Sequence, residues 1–295
     1  MGFKIKKTKR LKILILGSNG QLGKTFNEYK KIRKNIFFIF LSQNKLNYTI
    51  SKKLEDFVKN KNFDYIINCC AYTNVEDSEN KLKIVRKLNF YHIKNLLKII
   101  GKSKIILIHF STDHVYDGNK KGQYLEHDKC KPLNYYGKTK LMADNLIMNS
   151  KIKAIIFRIS WLYSKWNNNF VKKILEKSKK EKTLSVVGDQ FGSPTYSNDL
   201  VYSIIKIIDK GYLKKIKKPL IFNFRNKGIT SWYNFSKKIL SYNNNLGCQI
   251  KLISYKDYKT NVQRPANSKL SILKFQRYFK ISIPHWKNSL KKFFK

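Results

Sequence analysis

The chain has 295 residues, 42% of them hydrophobic and 14% aromatic, and carries 62 Lys+Arg against 18 Asp+Glu for a formal net charge of +44. That length suits one large α/β unit or two smaller domains, and the apolar content excludes disorder along the whole chain. No apolar stretch approaches the roughly 20 residues needed to cross a bilayer, so a membrane-spanning protein is not expected.

Residues 1–10 read as a solvated basic extension. The apolar run that follows is short, carries Lys12 and stops at Gly17, which does not make a secretory signal, and Lys6 stands where a myristoylation signal needs Ser or Thr. Leu11–Leu16 predicts a strand, Gly17-Ser-Asn-Gly20-Gln-Leu-Gly23 a glycine turn, and the residues to about Lys34 a helix. Ile36–Leu41 predicts a second strand, Ser51–Lys61 a helix and Asp64–Asn68 a third strand. Apolar residues at helical spacing run through Glu79–Gly101, and Lys104–Phe110, Leu133–Asn149 and Lys153–Ile159 continue as strand, helix and strand. This alternation predicts a doubly wound parallel sheet over residues 11–160, an α/β dinucleotide-binding domain of Rossmann type. Beyond Ser160 the rhythm loosens: a helix at Phe170–Lys180, a strand at Leu184–Val187, a helix at Asn198–Lys210 and short pieces after it, with Asn167–Asn169 and Asn243–Asn245 as loops. These pieces look too sparse for an independent core. Residues 161–295 are therefore expected to be mainly a smaller substrate-binding lobe, interleaved with the sheet and laid over its carboxyl edge.

Cys69, Cys70, Cys130 and Cys248 form neither a C-x-x-C pair nor a regular framework, the usage of a reducing cytoplasm without a zinc site. Only seven of the 62 basic residues are Arg, and the Lys residues are scattered through nearly every predicted helix and loop. A nucleic-acid surface would enrich Arg and gather charge on one face, so the excess reads as compositional drift, and nucleic acid is not expected as a partner. Attraction of anionic small molecules fits either reading of the charge.

The glycine turn carries explicit chemistry. Residues without side chains let the backbone approach a pyrophosphate, and the following helix presents free N–H groups to it. Its G-x-x-G-x-x-G spacing is weak alone; its place in the first βα turn makes it a coenzyme loop. Where a carboxylate would clasp an adenosine ribose, the chain has Leu41-Ser-Gln-Asn-Lys45, so a 2′-phosphate is tolerated and NADPH is expected to serve at least as well as NADH. Tyr136 and Lys140 stand four apart on a predicted helix and share a face, where a cation would favour the phenolate. Ser111-Thr112-Asp113 closes the fourth strand at the sheet's carboxyl edge. Together these groups point to hydride chemistry at a carbonyl.

Gly17–Gly23, Asn68–Thr73, Ser111–Gly118, Pro132–Lys140, Arg158–Trp161, Asp189–Thr195 and Arg264-Pro265 with Asn267-Ser268 stand in an order and spacing that resembles the dTDP-4-dehydrorhamnose reductases, members of the extended short-chain dehydrogenase/reductases. The S-T-D-x-V-Y-D-G, P-L-N-x-Y-G and D-Q-x-G-S-P-T blocks are the specific ones; His114 stands where that family usually has Tyr. The resemblance implies NAD(P)H-dependent reduction of the 4-keto group of dTDP-4-dehydro-L-rhamnose, with Tyr136 as proton donor, Lys140 on the nicotinamide ribose and lowering the Tyr136 pKa, and Thr112 on the reacting oxygen. It implies further that Gly17, Gly20, Gln21, Leu22, Gly23, Ala71, Tyr72 and Thr73 meet the coenzyme and that Asp113 and Trp161 meet the dTDP-sugar. Some members bind Mg²⁺ at a dimer interface through carboxylates. Thr25 and Asn198 stand at those positions here, and a hard cation wants anionic oxygens, so no metal is expected and a homodimer stays open. The same scaffold also carries nucleotide-sugar epimerases, dehydratases and non-catalytic regulatory subunits, which remain alternatives.

Overall fold

The computed structural model describes residues 10–30, 35–44, 51–101, 103–243 and 247–295. The basic extension up to residue 9, the end of the first helix at Lys34, Lys45 and the Asn244–Asn245 part of the Asn-rich loop lie outside them.

Strand β1 (Leu11–Leu16) shows why a run of Leu and Ile becomes a central strand. Successive side chains point to opposite faces, so Ile13 and Ile15 enter one apolar cluster while Leu14 and Leu16 enter another. Helices must then cover both faces. Helix α1 (Gln21–Lys30) with Phe26 and the helix Ser197–Asp209 close the first face; helix α2 (Ser51–Lys59) with Leu54 and Val58, and the helices His92–Ile100 and Tyr135–Met148, close the second. Strands β2 (Ile36–Leu41), β3 (Tyr65–Asn68), β4 (Ile106–Thr112) and β5 (Ala154–Ile159) join β1, and Leu220–Phe224 adds a sixth strand. Their order is 220–224, β5, β4, β3, β1, β2, and every pairing in this sheet is parallel. The chain steps from β1 outward to β2 and returns to β3 on the other side. The crevice outside the carboxyl ends of β1 and β3 is therefore the topological switch point, where open α/β sheets take their ligands.

Two expectations change. The helix expected over 79–101 starts at Leu82, after a separate short turn at Val75–Ser78, and runs unbroken to Ile100 with a π-turn at Lys87–Tyr91 set into it. The C-terminal half is also not sparse: Tyr163, Val171, Ile174, Tyr196, Phe235, Ile239, Trp286, Leu290 and Phe293 build an apolar cluster of their own. Among the described residues, no helix is long and apolar enough to cross a membrane.

Candidate active site

The glycine turn sits at the switch point. Gly17 has φ +76°, a conformation open to glycine, and a β-carbon there would lie 2.9 Å from the Cys69 carbonyl carbon and the Cys70 nitrogen. At Gly23 a β-carbon would lie 2.4 Å from the Gly17 carbonyl oxygen. The loop and the end of β3 are thus packed backbone to backbone, leaving a crevice of about 260 Å³ bounded by Gly17, Gly20, Ser42, Gln43, Asn44 and Ala71. These residues fit a dinucleotide: the bed is glycine backbone at a helix N-terminus, and no carboxylate faces it. Gly23→Ala is expected to abolish coenzyme retention on a dye or nucleotide column and to lower stability by about 1–3 kcal/mol; unchanged retention would contradict this packing role. A larger cavity of about 450 Å³ is bounded by Glu76, Asp77, Glu79 and three Asn residues. Its carboxylates would repel a diphosphate, so it is not the coenzyme bed.

Several loop residues do more, or other, than the sequence suggests. The Leu22 side chain is core, and the backbone of that turn is what faces the crevice. The Gln21 side chain accepts from Ser164 Oγ at 2.8 Å, while Asn167 Nδ2 donates to the Asn19 carbonyl at 2.8 Å, tying the C-terminal lobe to the glycine loop. Tyr72 turns its hydroxyl to Asp77, and Thr73 is exposed beside the Asn74 helix cap. Asn89, in the π-turn, accepts from the Tyr72 N–H at 2.8 Å and donates to Thr139 Oγ1 at 3.1 Å. One buried amide thereby fixes the Ala71–Thr73 wall to the Tyr135–Met148 helix, a use of the widened turn that pure helical spacing conceals.

That helix begins where Asn134 caps it, its Oδ1 accepting from the Gly137 N–H at 2.8 Å. Tyr136 and Lys140 follow one turn apart, both buried. Thr112 ends β4 close to the phenol, and its hydroxyl acts on Tyr136. Burial is the main influence on the Tyr136 phenol and pushes its pKa well above the ordinary value; Asp113 and Asp144 push the same way, while Thr112 pulls down. Tyr136 is held as a protonated donor. The His114 ring meets it edge to face, with centroids 5.6 Å apart. Asp113 is 4% exposed; its Oδ1 accepts from Thr112 Oγ1 at 3.1 Å, and its Oδ2 has no partner among the described residues. A buried carboxylate oxygen in that position calls for a ligand donor.

Lys140 differs from expectation in its electrostatics. Its side-chain nitrogen donates to the Phe110 carbonyl at 2.6 Å and lies 3.3 Å from His109 Nε2, and burial pulls its pKa down to about 8 against the opposing pull of Asp144. The influences that act on Tyr136 come from Thr112 and the two carboxylates, not from this lysine. Trp161 has φ +49° and stacks on Trp232 at 3.5 Å between centroids, which makes one of its faces part of the lobe. The structure therefore brings Thr112, Asp113, Tyr136 and Lys140 to one sheet edge, with the Gly17, Gly20 and Ala71 crevice at the switch point.

Thr25 donates to the Gln21 carbonyl and Asn198 to Glu28. Among the described residues no group of three or more His, Cys, Asp or Glu is placed to hold a metal.

The chain is 32% identical over 289 residues to a dTDP-4-dehydrorhamnose reductase of Aggregatibacter actinomycetemcomitans, a match covering 95% of this chain and 97% of the relative. It is similar in structure to a dTDP-4-dehydrorhamnose reductase from Clostridium acetobutylicum, with a TM-score of 0.88 and 32% identity over 96% of this chain and 98% of the other. It is similar too to the Bacillus anthracis dTDP-4-dehydrorhamnose reductase in complex with NADP, with a TM-score of 0.89 and 29% identity over 97% and 99%. The sequence profile of the RmlD substrate binding domain matches residues 11–295, and the chain belongs to that family.

Proposed function

We propose that this protein reduces the 4-keto group of dTDP-4-dehydro-L-rhamnose to give dTDP-L-rhamnose, using NADPH or NADH. The observation that carries the reading is the buried Thr112–Tyr136 pair beside the unpartnered Asp113 oxygen, with the phenol held protonated. A reductase needs a proton donor at neutral pH where an alkoxide develops, and a phenol with a raised pKa keeps its proton until that charge appears. A bound nicotinamide coenzyme supplies the hydride. Tyr136 gives its proton to the developing alkoxide, Thr112 orients the reacting oxygen, and Asp113 Oδ2 accepts from a sugar hydroxyl. Lys140 holds the nicotinamide ribose, the backbone of Gly17, Gly20, Gln21, Leu22 and Gly23 cradles the diphosphate, and Ala71–Thr73 line the path between adenosine and nicotinamide. Trp161 flanks the nucleotide-sugar beside the lobe. The +44 charge, spread as Lys over helices and loops, draws anionic small molecules rather than a nucleic acid.

An assay that follows absorbance loss of added NAD(P)H on the dTDP-keto-sugar tests this directly. Stoichiometric consumption with formation of dTDP-rhamnose is expected. Turnover of nucleotide sugar without net coenzyme consumption would replace the reading with an epimerase or dehydratase. Ser42, Gln43 and Asn44 border the coenzyme crevice without a carboxylate, so NADPH is expected to give a kcat/KM at least equal to that of NADH. Introducing Gln43→Asp should then tilt the ratio toward NADH by about tenfold or more, through repulsion of the 2′-phosphate. A wild-type enzyme strongly preferring NADH would contradict this account.

A further inference from the structure

Behind Lys140 the register of the sheet assembles a chain of buried polar groups. Asn68 ends β3 and pairs in register with His109 on β4. Asn68, His92, His109 and Lys140 are each 1% exposed. Asn68 Oδ1 accepts from the Cys70 backbone N–H at 3.2 Å and lies 3.2 Å from His92 Nε2. Asn68 Nδ2 faces His109 Nδ1 at 3.2 Å, and His109 Nε2 faces Lys140 Nζ at 3.3 Å.

The donor and acceptor roles along this chain follow from one fixed point. The Cys70 N–H can only donate, so the amide of Asn68 must present its oxygen there and its nitrogen to His109. The amide nitrogen donates, so His109 Nδ1 must accept and cannot carry a proton. A neutral imidazole then carries its proton on Nε2. That N–H points at Lys140 Nζ, and only an amine has a lone pair to receive it; an ammonium would set donor against donor. Burial acts against a charged His109, and an imidazolium would set its Nδ1–H against the Asn68 amide donor, so the charged form offers no way out. Lys140 meanwhile satisfies one of its own N–H groups on the Phe110 carbonyl.

We infer that His109 is a positioning residue for Lys140, a tautomer lock set by Asn68 and the Cys70 N–H, which favours the amine form of the lysine and aims its remaining N–H away from the sheet. The groups facing Lys140 are His109 from β4, Cys70 from the loop after β3, and Tyr136 and Asp144 from its own helix. Asp144 favours the ammonium, though its Oδ2 is already engaged by Arg158 and Ser111. The lock thus works with burial, and against Asp144 and Cys70, to hold the lysine's titration down at about 8. Its catalytic consequence rests on the proposed role of Lys140 at the coenzyme ribose; the tautomer itself does not.

The test separates the two. With only five histidines in the chain, long-range ¹H–¹⁵N correlation spectra of ¹⁵N-histidine-labelled wild-type protein near pH 8, assigned with His109→Gln, report the ring's tautomer without any turnover. A neutral Nε2–H tautomer is expected for His109, and an Nδ1–H tautomer or a charged ring would overturn the inference. Glutamine can offer Lys140 an acceptor oxygen where histidine offers a donor. In His109→Gln the alkaline limb of kcat/KM, expected near pH 8 in wild type, should therefore move upward by about one pH unit with little change in the KM for coenzyme. A limb that stays in place also overturns it. If His109→Gln does not fold, the wild-type spectrum, assigned through variants of the other four histidines, still decides. Absence of reductase turnover alongside the Nε2–H tautomer would sink the proposed function and leave the lock standing.

Discussion

Replacing Tyr136 by Phe lowers kcat by about two to four orders of magnitude, while the dissociation constant for coenzyme, read by fluorescence titration, stays close to that of wild type. The substitution removes one oxygen and leaves the ring packed at its T-shaped contact with His114. What is lost is a proton donor used as the alkoxide forms, so the effect falls on the transition state and not on ground-state binding. The direction of the phenol's shift supports the size of the effect. Burial keeps Tyr136 protonated throughout the neutral range, with Thr112 the one neighbour acting to lower its pKa. Wild-type-like turnover in Tyr136→Phe would remove Tyr136 from the mechanism.

Much of this was legible in the chain because its signals are local. The Leu11–Leu16 run followed by glycines at 17, 20 and 23 marks a strand and a close backbone approach, and the Cβ distances at Gly17 and Gly23 give the steric reason for both. Tyr136, Lys140 and the strand-end Thr112 could be placed at one edge from helix spacing and strand position alone. What could not be read depends on contacts between distant residues. His109 and His92 carry no motif, and Asn68 enters only as the first residue of the Asn68–Thr73 block; what the three do together comes from strand register and from which backbone N–H happens to face an amide oxygen. The π-turn at Lys87–Tyr91 was hidden because Val85, Asn89 and Ile93 keep a four-residue spacing through it. A polar residue buried in that otherwise apolar stripe was the available signal. The lobe core was missed for the same reason, since Tyr163, Phe235 and Phe293 meet only in three dimensions.

Removing the Asp144 carboxylate by Asp144→Ala should destabilise the protein by about 3–5 kcal/mol, read as a lowered denaturant midpoint. Asp144 Oδ2 accepts from Arg158 Nε at 3.1 Å and from Ser111 Oγ at 2.9 Å, and the two ionic side chains are 1% and 4% exposed. Arg158 Nη1 also donates to Tyr116 Oη at 2.8 Å and the Glu126 carbonyl at 3.2 Å, so the guanidinium cannot swing out to water when its partner disappears. The cost is therefore that of a stranded buried cation and not the worth of the pair. Replacing both residues with apolar ones, Asp144→Leu with Arg158→Met, should recover a large part of the loss, and a double variant no more stable than Asp144→Ala would refute the stranded-charge account. The same carboxylate acts on catalysis through Lys140, one turn before it on the helix. Asp144 raises the lysine's pKa, so in Asp144→Asn the alkaline limb of kcat/KM should shift to lower pH, opposite to the shift expected on losing the His109 donor. Opposed displacements of a single limb would show that the fold holds Lys140 between a carboxylate that charges it and an imidazole that discharges it.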